Sequence, residues 1–223
     1  MTAPAEPAGL AMVRVAEAVW VGFTTDGWAL RHGEPTRADR DAGRALPPWR
    51  AREHLASRAL LRLLLAACPA SGCRRAAAAD LAAEAGGRPY LRGHPGVGVT
   101  LSHAGGHVAA AVGDGRRVGV DVEVGIHPST GMLRRCCEPA DVARLRQWSA
   151  DERAAEFTAM WSAMEACVKA TGDGLAGAPW RVGVRPGQRR GRWDSGRFGE
   201  VSWVTLRAGR PAVSCAFLDD GPP

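Results

Sequence analysis

Three groups of side chains in this sequence have types and spacings that could do chemistry. Trp161, Glu165 and Lys169 recur at i, i+4 and i+8. On a helix that spacing stacks an aromatic ring, a carboxylate and an amine along one face. Lys169 is the only lysine of the chain. Gly172-Asp173-Gly174 follows it, and glycine can take the left-handed conformation that ends many helices. Asp121 and Glu123 stand two apart in a run where Val118, Val120, Val122 and Val124 alternate with them. Read as a strand, the run turns the valines to one side and both carboxylates to the other, with Gly119 leaving room for a close approach. Asp121, Glu123 and Glu165 together suit Mg²⁺, a hard cation that takes oxygen ligands and shares its shell with substrate phosphates. Ser102-His103 ends another apolar run just before Gly105-Gly106. A hydroxyl, an imidazole and turn amides there could hold a phosphate. Each group also has an ordinary reading: a Glu–Lys pair on a solvated helix, the wet face of a sheet, a turn cap.

The flanking patterns say which elements must position these side chains. Val13 to Phe23 alternates and reads as a strand, Asp26-Gly27 as a turn, and 31–48 as a loop or short helix. Pro48 to Cys68 is a helix with a wide leucine face, closed by Pro69. Ala76 to Ala85 reads as a second helix, ended by Gly86-Gly87. Gly87-Arg88-Pro89-Tyr90 is extended or turned, because the residue before proline avoids the helical region. Val97–Ser102, Val108–Val112 and Val118–Val124 look like an antiparallel meander. Leu133–Cys137 and Pro139–Trp148 read as helices, and Ser149 to Glu152 is a capping box that opens the helix carrying Trp161 to Lys169. Trp180–Val184, Val201–Leu206 and Pro211–Phe217 read as strands, with a loop rich in Gly and Arg over 186–199. The pattern is that of an α+β protein.

Composition narrows the partners. The 223 residues suffice for one large domain or two small packed halves. The net charge of +6 is carried by scattered arginines, which draw an anionic partner: a phosphate ligand, an acidic protein or nucleic acid. The aromatics are not interleaved with arginines on one strand face as base-stacking platforms require, which speaks against a nucleic-acid-binding module. The six cysteines form no pair of CxxC motifs and fit reduced thiols in the cytoplasm. Neither a secretory signal nor a membrane-spanning run is visible.

Taken together and in order, five segments resemble the surfactin-type 4′-phosphopantetheinyl transferases. They are Arg52-x5-Arg58-Ala-Leu-Leu, Gly87-Arg88-Pro89-Tyr90, Leu101-Ser102-His103, Gly119-Val120-Asp121-Val122-Glu123 and Trp161-x3-Glu165-Ala-x2-Lys169-Ala-x-Gly172-x-Gly174-Leu175. The resemblance covers roughly residues 50–175 and implies two similar α/β halves with antiparallel sheets. They would be related by a pseudo-twofold axis, at 1–116 and 117–223, with a ligand cleft between them. It also implies a monomer that moves the phosphopantetheine arm of coenzyme A onto a serine of an acidic acyl or peptidyl carrier protein. Adenosine 3′,5′-bisphosphate would be released, and polyketide or nonribosomal peptide biosynthesis is the expected setting. By matched position, Asp121, Glu123 and Glu165 would hold Mg²⁺, and Glu165 would serve as base. Lys169 would contact the pyrophosphate, and Ser102 and His103 the coenzyme's phosphates. Arg88 would contact the same anionic head, with Arg52 and Arg58 in the basic helix beside it. One departure stands out: Met164 occupies the place of the family's usual lysine or arginine before the glutamate. That departure predicts a missing basic contact at the phosphate site. It is the ground for a rival reading, a binder of coenzyme A or carrier protein without transferase activity.

Overall fold

Backbone reversal, not continuous extension, organises the N-terminal third. The computed structural model describes residues 9–218. Where one strand was expected, Ala18 takes a positive φ of 59° and folds β1 (Ala11–Ala16) back on β2 (Val19–Thr25) as a hairpin. Asp26-Gly27 opens α1 (Asp26–His32) instead of a turn, because the Thr25 hydroxyl accepts the Trp28 N–H and caps the helix. A capping box between Thr36 and Asp39 starts α2 (Arg37–Arg44). The leucine-faced helix is α3 (Pro48–Ala67), followed by the short α4 (Ser71–Arg75).

The alanine-rich stretch after it is not the expected helix. Leu81–Ala83 is a strand, β3, paired antiparallel with β4 (Pro89–Leu91) through Leu81↔Leu91 and Ala83↔Pro89. Alanine's helix preference is worth tenths of a kcal/mol per residue, and pairing at a sheet edge overrides it. β5 (Val97–Ala104) and β6 (His107–Asp114) form the next hairpin. The third run, β7 (Val118–Glu123), leaves the expected meander. It crosses to a second sheet and pairs with the last strand, Asp121 opposite Ser214.

The C-terminal part contains α5 (Thr130–Cys136), α6 (Pro139–Arg146), α7 (Ala150–Thr171), β8 (Arg190–Asp194), β9 (Glu200–Ala208) and β10 (Ala212–Leu218). Pro179–Arg181 is a 3-10 turn, not a strand: proline cannot donate to a sheet ladder. β8 lies inside the stretch expected to be loop, where its Gly-Arg composition hid a strand that β9 recruits. The fold is α+β, with antiparallel sheets ordered β1-β2-β6-β5-β4-β3 and β7-β10-β9-β8.

Three cores stack these parts in layers. Leu60, Leu61, Leu64 and Leu65 of α3 pack on one face of the six-stranded sheet. Val118, Val120 and Val122 of β7 pack with Val19, Val21 and Phe23 between the sheets. Phe157, Met160, Met164 and Val168 of α7 fill the core on the far side of the four-stranded sheet. The alternation of β7 therefore places its valines between the sheets and turns Gly119, Asp121 and Glu123 toward α7. The close approach is real: a Cβ on Gly119 would stand 2.0 Å from the Ala166 carbonyl oxygen.

Candidate active site

The helix that carries the opening triad is almost wholly buried. From Glu156 to Thr171 only Trp161, Glu165 and Lys169 escape burial. The i, i+4, i+8 spacing is thus the one open stripe of α7. The capping box at Ser149–Glu152 starts this helix, and Gly172, with φ 83°, ends it.

Lys169 is the hub of the site. Its Nζ lies 2.5 Å from Asp121 Oδ1 and 3.1 Å from Ser102 Oγ. The Ser102 hydroxyl donates to Asp121 Oδ1 at 2.9 Å and accepts the Val122 N–H at 3.3 Å. One oxygen of Asp121 thus receives both a lysine and a serine. Its other oxygen, Oδ2, is buried without a hydrogen-bond partner among the described residues. Ser162 donates to the Asp121 backbone carbonyl at 3.1 Å and so ties β7 to α7. With 2 % of its surface exposed, Asp121 is not on a wet sheet face.

The three carboxylates feel one another. Burial and then the Asp121 charge push the Glu123 carboxyl up to about 7; Glu165 adds to the rise and Lys169 opposes it. Burial raises Glu165 as well, against the pull of Lys169. Burial raises Asp121 in the same way, Lys169 and Ser102 holding it down. Among the described residues no three His, Cys, Asp or Glu side chains already stand as a metal-holding group. The donors nevertheless fit a hard cation: an orphaned buried carboxylate oxygen and a Glu pushed up to about 7 by burial and then by the Asp121 charge mark a place where positive charge is short.

Two adjoining cavities flank this hub. One, of about 220 Å³, is lined by Lys169, Arg88, Gly172 and Gly174, with Gly87, Pro89 and Leu101. The other, of about 340 Å³, shares Gly87, Pro89 and Leu101 with it and adds Arg50, Glu53, His54, Arg58 and His103. His103 Nδ1 lies 3.4 Å from Glu53. Arg58 pairs with the buried Asp39 at 3.5 Å, and Arg88 lies 3.9 Å from Glu84. Asp121, Glu123, Glu165, Lys169 and Ser102 therefore come together, and Arg88, Arg58 and His103 open onto neighbouring space. Arg52 does not join them: it bonds to Asp26 at 2.6 Å and lines neither cavity. Arg50, His54 and Ser162 are additions that sequence reading missed. Arg50, His54 and Arg58 share the i, i+4, i+8 spacing of one helix face, which would have been the signal.

Met164, the departure from the family pattern, lies in the core of the second sheet's helix. Its side chain is fully buried in the α7 core. It lines neither cavity.

Residues 117–214 match the family model of the 4′-phosphopantetheinyl transferase superfamily. The matched stretch holds Asp121, Glu123, Glu165 and Lys169. The chain is also similar to the 4′-phosphopantetheinyl transferase of Bacillus subtilis, 28% identical over 90 residues, which are 40% of this chain and 40% of that protein. Among the described residues no helix is long and apolar enough to cross a membrane.

Proposed function

We propose that the chain transfers the 4′-phosphopantetheine arm of coenzyme A to a serine hydroxyl of an acyl or peptidyl carrier protein, with Mg²⁺ as cofactor. The supporting observation is the convergence of Lys169, Ser102 and Asp121, with Glu123 and Glu165 beside them, where Lys169 lines the smaller of two adjoining basic cavities. Asp121, Glu123 and Glu165 would hold the cation. When bound, it supplies charge neutralisation on the phosphate oxygens.

The remaining work falls to side chains. Lys169 and Arg88 place positive charge at the smaller cavity and orient the pyrophosphate of coenzyme A there. Arg50, Arg58 and His103 offer donors to the rest of the anionic head in the larger one. Ser102 fixes Lys169 and Asp121 relative to each other and so sets the angle of attack. Glu165 receives the proton of the incoming serine hydroxyl on its carboxylate; burial raises this carboxyl above its ordinary value and makes it a stronger proton acceptor. The serine oxygen forms its bond to phosphorus as the bond to the leaving adenosine 3′,5′-bisphosphate breaks.

A monomer acting in the cytoplasm of a cell making polyketides or nonribosomal peptides is the setting proposed; the six free cysteines agree with a reducing compartment. Met164, the ground for a binder without transferase activity, is buried in the α7 core, and the intact carboxylates and Lys169 support the transferase reading over that one. The test is to incubate apo carrier proteins with coenzyme A, Mg²⁺ and the protein, and to follow carrier mass. The expected result is the mass gain of one arm, lost with Glu165→Gln and with Asp121→Asn. No gain on any polyketide, nonribosomal peptide or fatty-acid carrier would overturn the proposal.

A further inference from the structure

We infer that the tip of the β8–β9 hairpin is a strap over the end of α7, with Arg117 and Phe198 as positioning residues for the Lys169–Gly172 wall of the smaller cavity. The inference rests on the proposed function only in taking coenzyme A as the ligand of that cavity.

The last carbonyls of a helix lack intrahelical partners. Here Arg117 Nη2 donates to the Thr171 carbonyl at 3.1 Å. Arg117 does not line the cavity, so it acts through the helix end and not on a ligand. Its own Nε is buried without a hydrogen-bond partner among the described residues. What faces the guanidinium instead is an aromatic ring: its Cζ sits 4.2 Å from the centroid of Phe198. The negative face of a benzene ring attracts a guanidinium.

Phe198 is itself held. The Ser195 N–H donates to the Gly199 carbonyl at 3.0 Å, and the Ser195 hydroxyl to the same oxygen at 2.9 Å. The Phe198 N–H donates to Ser195 Oγ at 3.0 Å, and the Gly196 N–H to Asp194 Oδ1 at 2.8 Å. These bonds make the tip a stiff presenter of one ring. A second tie joins it to the helix end, where Arg197 Nη1 lies 3.7 Å from Asp173 Oδ1, with Arg197 Cζ 4.8 Å from the Phe198 ring.

The strap matters because positive charge crowds this place. A Cβ on Gly172 would stand 3.0 Å from Arg88 Cδ and 3.4 Å from Arg117 Nη2. Arg88, Arg117 and Arg197 thus gather around the end of α7, one turn beyond Lys169. Like charges drift apart unless something fixes them. The ring and the Thr171 carbonyl fix Arg117, and with it the wall that Lys169 and Gly172 give to the cavity.

The test uses the full chain with Phe198→Leu, Phe198→Tyr and Arg117→Gln. Leucine keeps the apolar bulk and loses the ring, whereas tyrosine keeps the ring. Hydrogen exchange should quicken about 10-fold at amides 169–174 in Phe198→Leu and Arg117→Gln, and not in Phe198→Tyr. A cation–ring contact is a factor of about 2 to 30 in an equilibrium constant. Calorimetry should therefore show coenzyme A binding weakened about 10-fold in the first two variants and kept in the third, at little-changed Tm. The Phe198→Leu, Arg117→Gln double variant should bind no more weakly than either single one. Wild-type exchange in Phe198→Leu, or equal loss in Phe198→Tyr and Phe198→Leu, overturns the strap. A wild-type protein that fails to bind coenzyme A, while Phe198→Leu still frees the helix end, upholds the strap and overturns the function proposed above.

Discussion

Replacing Gly119 by alanine should separate the two elements that make the site. The new Cβ would stand 2.0 Å from the Ala166 oxygen and 2.5 Å from the Ala170 nitrogen. Those atoms are the acceptor and donor of one i to i+4 turn of α7. Neither can swing aside as a side chain would. Ordinary contact begins near 3.4 Å, so β7 and α7 must part by about 1.4 Å. Overpacking of a close-packed interior costs about 1–3 kcal/mol, and a backbone-on-backbone clash belongs at the upper end. In a chain of this size that lowers Tm by roughly 6–12 °C. The same shift carries Asp121 and Glu123 away from Glu165 and Lys169. A misplacement of about 1 Å can cost ~100-fold in rate, so transfer to the carrier should fall by at least that much even where the variant is fully folded. Scanning calorimetry and the carrier mass assay read the two effects separately. Gly96→Ala, with nothing within 4 Å of its Cβ, is the control and should match wild type in both. A Gly119→Ala protein with wild-type Tm and wild-type transfer would refute the packing of β7 on α7 described above.

Other outcomes follow from the same geometry. Met164→Lys puts an ammonium into the fully buried core of α7; it should lower stability by about 3 kcal/mol and bring no gain in rate, and a faster, equally stable variant would contradict the placement of Met164. Burial raises the Glu156 carboxyl, but hydrogen bonds from Arg189 and the Gly187 N–H outweigh it and hold the group below its ordinary value. Its stabilisation is therefore present above pH 4.5 and lost as pH falls through the depressed value. Glu156→Gln should cost about 2 kcal/mol at neutral pH, with the Tm gap to wild type closing in acid. For Glu123 the sign reverses. Its carboxyl is raised from 4.5 to about 7, so stability from this group is present below pH 4.5 and lost as pH rises through 7. In a chelator, a carboxyl NMR titration should find Glu123 near 7, and Mg²⁺ should lower it; no change with Mg²⁺ would speak against Glu123 as a ligand.

The periodicities in the sequence determined a good deal. A spacing of four set Trp161, Glu165 and Lys169 on one face, and the structure leaves that stripe alone open on an otherwise buried helix. Alternation in β7 set its valines against its carboxylates, and Gly119 announced the close approach that turns Asp121 toward α7. Ser149 and Glu152 marked where the long helix starts, and Gly172 where it stops. These are local rules, written within a few residues of where they act. Tertiary structure decided the rest. Whether Leu81–Ala83 is helix or strand depended on β4 being there to pair with it. Whether β7 continues a meander or founds a second sheet depended on β10, some ninety residues further along. Nothing local told that Met164 faces the core, that Arg52 is claimed by Asp26, or that Ser102 closes a triangle with Lys169 and Asp121. A side chain's direction and partner are settled by what packs against it, and those atoms come from distant parts of the chain.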